Sequence, residues 1–222
     1  MRAIPKQREP DVLTEYRLKT DAIYDGDASF TPVKAKIREY LLAEQGHLCA
    51  YCMQRIHTDT MKIEHWQCQD KYPDTQLNYK NLLGACSGNE GQPPKNQTCD
   101  TRKGNADLKY NPANPAHHID SQIKYLGNGK LSSDDQEFDQ QLNTVLNLNY
   151  SRLVQNRQKI VEDVIRLLGK KEGSRTPAQL RKILEHWVIP NGDGQLQPYS
   201  GVAIYFLTKR LVRASRETRN GT

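Results

Sequence analysis

A single short motif, Cys49-Ala-Tyr-Cys52, constrains this chain more than any other stretch. Such a pair is half of a tetrahedral thiolate site, because the tight turn lets both sulfurs reach one Zn²⁺ at ~2.3 Å. The other half must come from among Cys68, Cys86 and Cys99. Residues 87–98, between Cys86 and Cys99, carry two Gly, two Pro and four side-chain amides, and read as an exposed loop. No apolar leader stretch precedes the five cysteines, so they are expected to be reduced, metal-bound or free rather than disulfide-bonded.

A second kind of chemistry lies inside the cysteine frame: Ile63-Glu64-His65-Trp66, then Asn81, then Asp100 directly after Cys99. A neutral histidine suits the task of taking a proton from water near pH 7. Carboxylate oxygens suit a hard cation such as Mg²⁺. On a regular strand adjacent side chains point to opposite faces, so Glu64 and His65 can share one site only where the strand bends or ends.

The order Cys49-x2-Cys52, Glu64-His65, Asn81, Cys86, Cys99-Asp100-Thr-Arg102-Lys103 resembles the HNH (ββα-metal, His-Me finger) nucleases. Within them it is most similar to the retron- and Septu-associated HNH nucleases, most specifically over residues 49–105 and more weakly over residues 123–149. The resemblance implies an α+β fold: a zinc-stapled ββα-metal core with N-terminal helices and a mostly α-helical C-terminal region. It also implies that Cys49, Cys52, Cys86 and Cys99 hold a structural Zn²⁺. His65 would be the base, and Glu64 and Asp100 would hold a catalytic Mg²⁺ or Mn²⁺. Asn81 would tie the loop to the hairpin and hold the histidine backbone. Asp100 departs from the Asn or His usual at its position. Arg102 and Lys103, one helical turn on, would meet phosphate oxygens of DNA or RNA. The implied setting is an antiviral complex with an ABC-type ATPase, with a retron reverse transcriptase and its RNA–DNA hybrid as further partners. No Gly-x4-Gly-Lys-Ser/Thr motif occurs in this chain to supply an ATPase of its own. A stand-alone restriction-like HNH nuclease and a non-catalytic zinc module that binds nucleic acid or a partner are the rival readings.

The formal charge of +6 and pI near 9.0 favour an anionic partner. No stretch approaches the ~18 apolar residues of a membrane span, and the expectation is a soluble, cytoplasmic protein. The organisation reads as an N-terminal arm and helices (1–45), the nuclease core (46–116) and a mostly helical region (117–222). Residues 1–10, basic and carrying Pro5 and Pro10, read as an arm outside the core, and residues 1–25 as a docking surface for the partner. A first helix runs from Asp11 to about Tyr24. The next starts at Thr31-Pro32 with Val33, Ile37, Tyr40 and Leu41 on one face. The helix after Cys99 is expected to reach Asp107. A Gly-Asn-Gly hairpin follows, then helices capped at residues 132–134, at Asn149 or Ser151 and at Thr176, and a last helix from Tyr199 to about Arg213. Residues 152–182 hold nine Lys/Arg against three acids, which reads as a solvated face or a phosphate-binding platform.

Overall fold

The computed structural model describes residues 1–169 and 175–220, so Lys170, Lys171 and Glu172 of the basic run lie outside the described residues. Helix α1 (Asp11–Tyr16) packs on helix α2 (Phe30–Glu44). The first helix stops eight residues short of the expected end at Tyr24, and a chain of turns takes over. In α2, Val33, Ile37 and Leu41 repeat at the helical spacing and are buried, whereas Tyr40 is 39% exposed, outside the expected apolar face. The helix begins at Phe30, one residue before Thr31, because Phe30 is buried against the Tyr16 and Tyr24 rings at 5.1 and 4.9 Å.

Strands β1 (Lys62–His65) and β2 (Leu82–Ala85) form an antiparallel pair in the register Lys62↔Ala85 to His65↔Leu82. Gln45, at the end of α2, fastens the helix to this pair: its Nε2 donates to Gly84 O at 2.9 Å, and its Oε1 accepts from Gly84 N at 2.7 Å. The approach is close, since a Cβ on Gly84 would lie 3.0 Å from Met61 Cε and 3.1 Å from that same Nε2. Helix α3 (Cys99–Lys103) follows β2 after the loop at 87–98, and it is one turn long rather than reaching Asp107.

The N-terminal segment is not an arm. Met1, Ile4, Leu13 and Tyr16 are buried, Ile4 N donates to Pro112 O at 2.9 Å, and Lys6 pairs with Glu44 at 2.5 Å. Lys6 also donates to Leu82 O at 3.0 Å, so the segment is fastened to α2 and β2 at once. The partners are scores of residues away in the chain, which no local pattern reveals. A truncation starting at Ala28 would therefore strip core residues rather than a docking appendage.

Beyond α3 come α4 (Ile119–Gln122), a hairpin of β3 (Lys124–Tyr125) and β4 (Leu131–Ser132), and α5 (Gln136–Gln140), which runs into a π-helical turn at Gln141–Val145. Asp135, not residues 132–134, caps α5, its Oδ1 accepting from Phe138 N at 3.0 Å. Then follow α6 (Ser151–Gly169), α7 (Pro177–Val188), opened by a Thr176/Gln179 capping box, and α8 (Ser200–Asn220). One buried cluster runs from Met1 through Leu82 and Phe138 to Val202. Arg157, one of the basic run on α6, is 1% exposed and donates to Gly129 O and Leu148 O at 2.7 and 2.8 Å. It is a core clamp on the β3–β4 hairpin, so it takes no part in a phosphate platform.

Candidate metal centre and acid–histidine site

The two ends of the nuclease-like region converge on four sulfurs. Cys49 and Cys52 sit in a knuckle closed by Cys49 N donating to Gln54 O at 2.9 Å, Cys86 follows β2 directly, and Cys99 opens α3. The four Sγ atoms all lie within 4.8 Å of one another, and Cys52 and Cys86 are 3.9 Å apart. A tetrahedron with Zn–S of ~2.3 Å has edges of roughly 3.8 Å, so the donor set and its spacing suit one Zn²⁺. Each cysteine is at most 3% exposed. Burial opposes ionisation of Cys49, but hydrogen bonds from Cys52, Cys86 and Cys99 outweigh it and hold that thiol well below its ordinary range. Burial, then bonding to Cys49, pushes Cys52 up, while bonding to Cys49 leads the rise at Cys99. A bound Zn²⁺ would hold its cysteine ligands as thiolates. Cys68 stands apart, its Sγ directed at Asn105 O at 3.7 Å, and His47 is not among the clustered ligands.

The loop at 87–98 is pinned at its base. Thr98 N donates to Gly88 O at 2.9 Å, and a Cβ on Gly88, at φ +57°, would lie 2.1 Å from Thr98 O. Asn147 Nδ2 donates to Lys95 O and Gln97 O at 3.1 and 2.9 Å, which steadies the loop's outer limb.

Across α3 from the sulfurs lies the acid–histidine site. Glu64 is 3% exposed; Tyr51 Oη donates to its Oε1 at 2.7 Å and Lys103 Nζ lies 2.9 Å from the same oxygen. The Asp100 carboxyl is close enough to Glu64 to act on its ionisation. Burial first, then Asp100, raises the Glu64 carboxyl well above the usual carboxylate range, and Lys103 offsets only part of that. Lys62 Nζ approaches Asp100 to 3.9 Å and reaches Glu90 of the loop at 2.8 Å.

His65 is 7% exposed, with Tyr24 edge-on to its ring at 4.4 Å. Its Nε2 lies 2.9 Å from Gln76 O. A carbonyl only accepts, so Nε2 carries the proton and Nδ1 keeps its lone pair. Burial lowers the imidazole pKa below 6.5, opposed by the Gln76 carbonyl and by Asp100. Glu64 and His65 are thus both buried and both within electrostatic reach of Asp100 although they are adjacent on a strand. This is possible because β1 ends at His65.

Asn81 holds the loop that carries Gln76. Its Oδ1 accepts from Gln67 N at 2.8 Å, and its Nδ2 donates to Gln67 O at 3.0 Å and to Thr75 Oγ1 at 3.1 Å. The histidine's own carbonyl is held instead by Lys103 Nζ at 3.2 Å. Lys103 is buried, its side chain fully enclosed between Glu64 and that carbonyl, so the expectation of a phosphate contact there does not stand. Charge neutralisation of Glu64 drew it inward. Arg102 donates to Pro94 O and Thr144 O at 2.9 and 3.2 Å, joining α3 to the loop and to the end of the π-helical turn. Tyr51, Tyr24 and Gln76 belong to the site but carry no motif. The one sequence cue is that Tyr51 lies inside the cysteine knuckle.

No family model matches the chain. It is 29% identical over 171 residues to the Septu protein PtuB of Bacillus thuringiensis, an alignment covering 71% of this chain and 60% of that protein. It is 27% identical over 177 residues to a retron Vc95 protein of Vibrio cholerae serotype O1 biovar El Tor, named provisionally as an HNH endonuclease, covering 75% of this chain and 85% of that one. The cysteine, acid and histidine order and the two alignments point the same way: the chain is a relative of the Septu and retron HNH-type proteins.

Proposed function

We propose that this chain is a metal-dependent HNH endonuclease that hydrolyses phosphodiester bonds of nucleic acid. The observation that carries the reading is the placement of two carboxyls, Glu64 held by Lys103 and Asp100 approached by Lys62, with a neighbouring His65 whose Nε2 is turned to the Gln76 carbonyl and whose Nδ1 is left to accept a proton. Glu64, which is buried, and Asp100, which is partly exposed, would hold Mg²⁺ or Mn²⁺, since carboxylate oxygens suit a hard cation. When bound, such an ion supplies charge neutralisation at the phosphate and the leaving oxygen. His65 takes the proton of the attacking water at Nδ1, while the Gln76 carbonyl fixes its tautomer and orientation. Asn81 acts through that loop, and Lys103 holds both Glu64 and the His65 backbone in register. The four cysteines would hold Zn²⁺ as a staple that positions Cys99, and with it Asp100.

The names of the two relatives support a place in a Septu- or retron-type defence complex, and the partner we propose for it there is an ABC-type ATPase. A reverse-transcriptase partner has no support from the chain or its relatives. The deciding experiment is to purify the protein with its genomic neighbours and assay DNA and RNA cleavage with and without Mg²⁺. Cleavage that needs Mg²⁺ and is lost in His65→Ala is the expected result, and Mg²⁺-independent cutting or none would defeat the reading.

A further inference from the structure

The N-terminal segment, the loop after β1 and residues 111–115 enclose an open groove of about 960 Å³ that the acid–histidine chemistry does not use. Its wall is lopsided in hydrogen-bonding capacity. Asn78, Asn111 and Asn114 each turn Oδ1 back onto a backbone N–H, those of Lys80, Ala113 and Ala116, at 3.0, 2.8 and 3.0 Å. Only the amide oxygen can accept such bonds, so each of these side chains is left with its NH₂ donors. Among the described residues none of the three Nδ2 groups has a partner. Trp66 Nε1 is buried without a partner on the same wall, and the exposed Lys80 makes no ion pair. Against these donors stands a single carboxylate, Asp120, which already accepts from Ala3 N at 3.0 Å and lies beside Arg2.

We infer that this groove binds a single-stranded stretch of nucleic acid, an inference that rests on the nuclease reading above. A donor-rich wall needs a ligand with acceptors in excess. Phosphate oxygens, base carbonyls and ring nitrogens provide them. A polypeptide brings one N–H for nearly every C=O and would leave its donors unmatched there. Trp66, half-buried and one residue beyond His65, offers an aromatic surface of the kind on which bases stack. A groove of this size admits a few nucleotides of one strand and not the width of a duplex. Lys6 also lines it, but its charge is met by Glu44 at 2.5 Å. Neutral donors therefore carry most of the binding, and few phosphates are neutralised. The salt dependence should be shallow, with a log–log slope of about −0.7 for each phosphate met.

The chain has two tryptophans, so Trp187→Phe leaves Trp66 as the one indole reporter, in the groove. The full-length protein, with its zinc in place and no Mg²⁺ or Mn²⁺ added, is titrated with short single-stranded DNA and RNA oligonucleotides and with matched duplexes. Saturable quenching by single strands is expected, with duplexes weaker. Lys80→Glu and Asn78→Asp each put negative charge on the donor wall and should weaken binding roughly tenfold. The inference is overturned by no quenching with any oligonucleotide, by duplexes binding as well as single strands, or by both variants binding as the parent does. An acidic peptide that quenches as strongly as the oligonucleotides would make the groove a protein-docking site and overturn it equally. Neither the proposed catalytic ion nor cleavage enters this measurement, so its failure leaves the nuclease assay untouched, and a failed nuclease assay leaves its result standing.

Discussion

Cys99 and Asp100 are neighbours in the chain, yet they serve two centres of opposite character. On one side four soft sulfurs are sealed from solvent within 4.8 Å of one another. On the other, two carboxyls share their space with the Lys103 ammonium, the Tyr51 hydroxyl and a histidine, and the Asp100 side chain is 20% exposed. The sulfur centre offers a metal ion four like donors. The oxygen centre carries a cation of its own, the Lys103 ammonium. If the first holds zinc and the second a catalytic ion, as proposed above, folding depends on metal at one centre and only chemistry at the other.

The largest expected effect is therefore at the sulfurs. A structural zinc site is worth roughly 10–16 kcal/mol, comparable to the whole stability of about 5–15 kcal/mol of a typical domain. Cys49→Ser combined with Cys86→Ser should abolish both bound zinc and the cooperative melt, read by elemental analysis and calorimetry. Zinc retained at one per chain would dissolve the contrast between the centres. Next, His65→Ala should lower cleavage by roughly 10²–10⁴-fold while zinc content and melting temperature stay as in the parent. If that variant loses zinc, the two centres are one.

Lys103→Met tests the internal cation. Removing the ammonium leaves the buried Glu64 carboxyl without its cation, a cost of up to about 3–5 kcal/mol when no metal occupies the oxygen centre. Added Mn²⁺ should recover more of the melting temperature in this variant than in the parent. A lysine used for phosphate contact would leave stability near the parent value instead. The smallest effect concerns pH. Burial lowers the His65 pKa below 6.5, so the neutral base persists where a solvent-exposed histidine is already charged. The acid limb of the cleavage profile should thus fall below pH 6.5. By linkage, the unfolded chain takes up this proton first, so stability is full above pH 6.5 and declines as pH falls below it. The His65→Ala variant should show a shallower decline over the same window.

What could be read from residues alone was whatever depended on local order. Cys49-x2-Cys52 announces its own geometry, whereas the grouping of Glu64, His65 and Asp100 was implied only by the resemblance in residue order. Lys103 was misplaced because a lone lysine on a short helix has no local sign of burial; only the fold brings Glu64 to it. Residues 1–10 were misread for a similar reason. Their prolines and charges are visible, but Pro112 and Leu82, which hold Ile4 and Lys6, are not near them in sequence. The groove donors were equally hidden, since an asparagine shows which end it exposes only after its turn has formed.

The loop at 87–98 begins after one sulfur ligand and ends before another, and its base is already closed by the Thr98–Gly88 bond. A loop tethered in this way can change length at little cost, about 0.6 kcal/mol for each doubling. That freedom is confined to the tip, because Lys62 holds Glu90 while Arg102 and Asn147 hold Pro94, Lys95 and Gln97. The turn around Gly91, where an added Cβ would meet nothing within 4 Å, is therefore the place where a tag or a dye could be inserted with least disturbance to either centre.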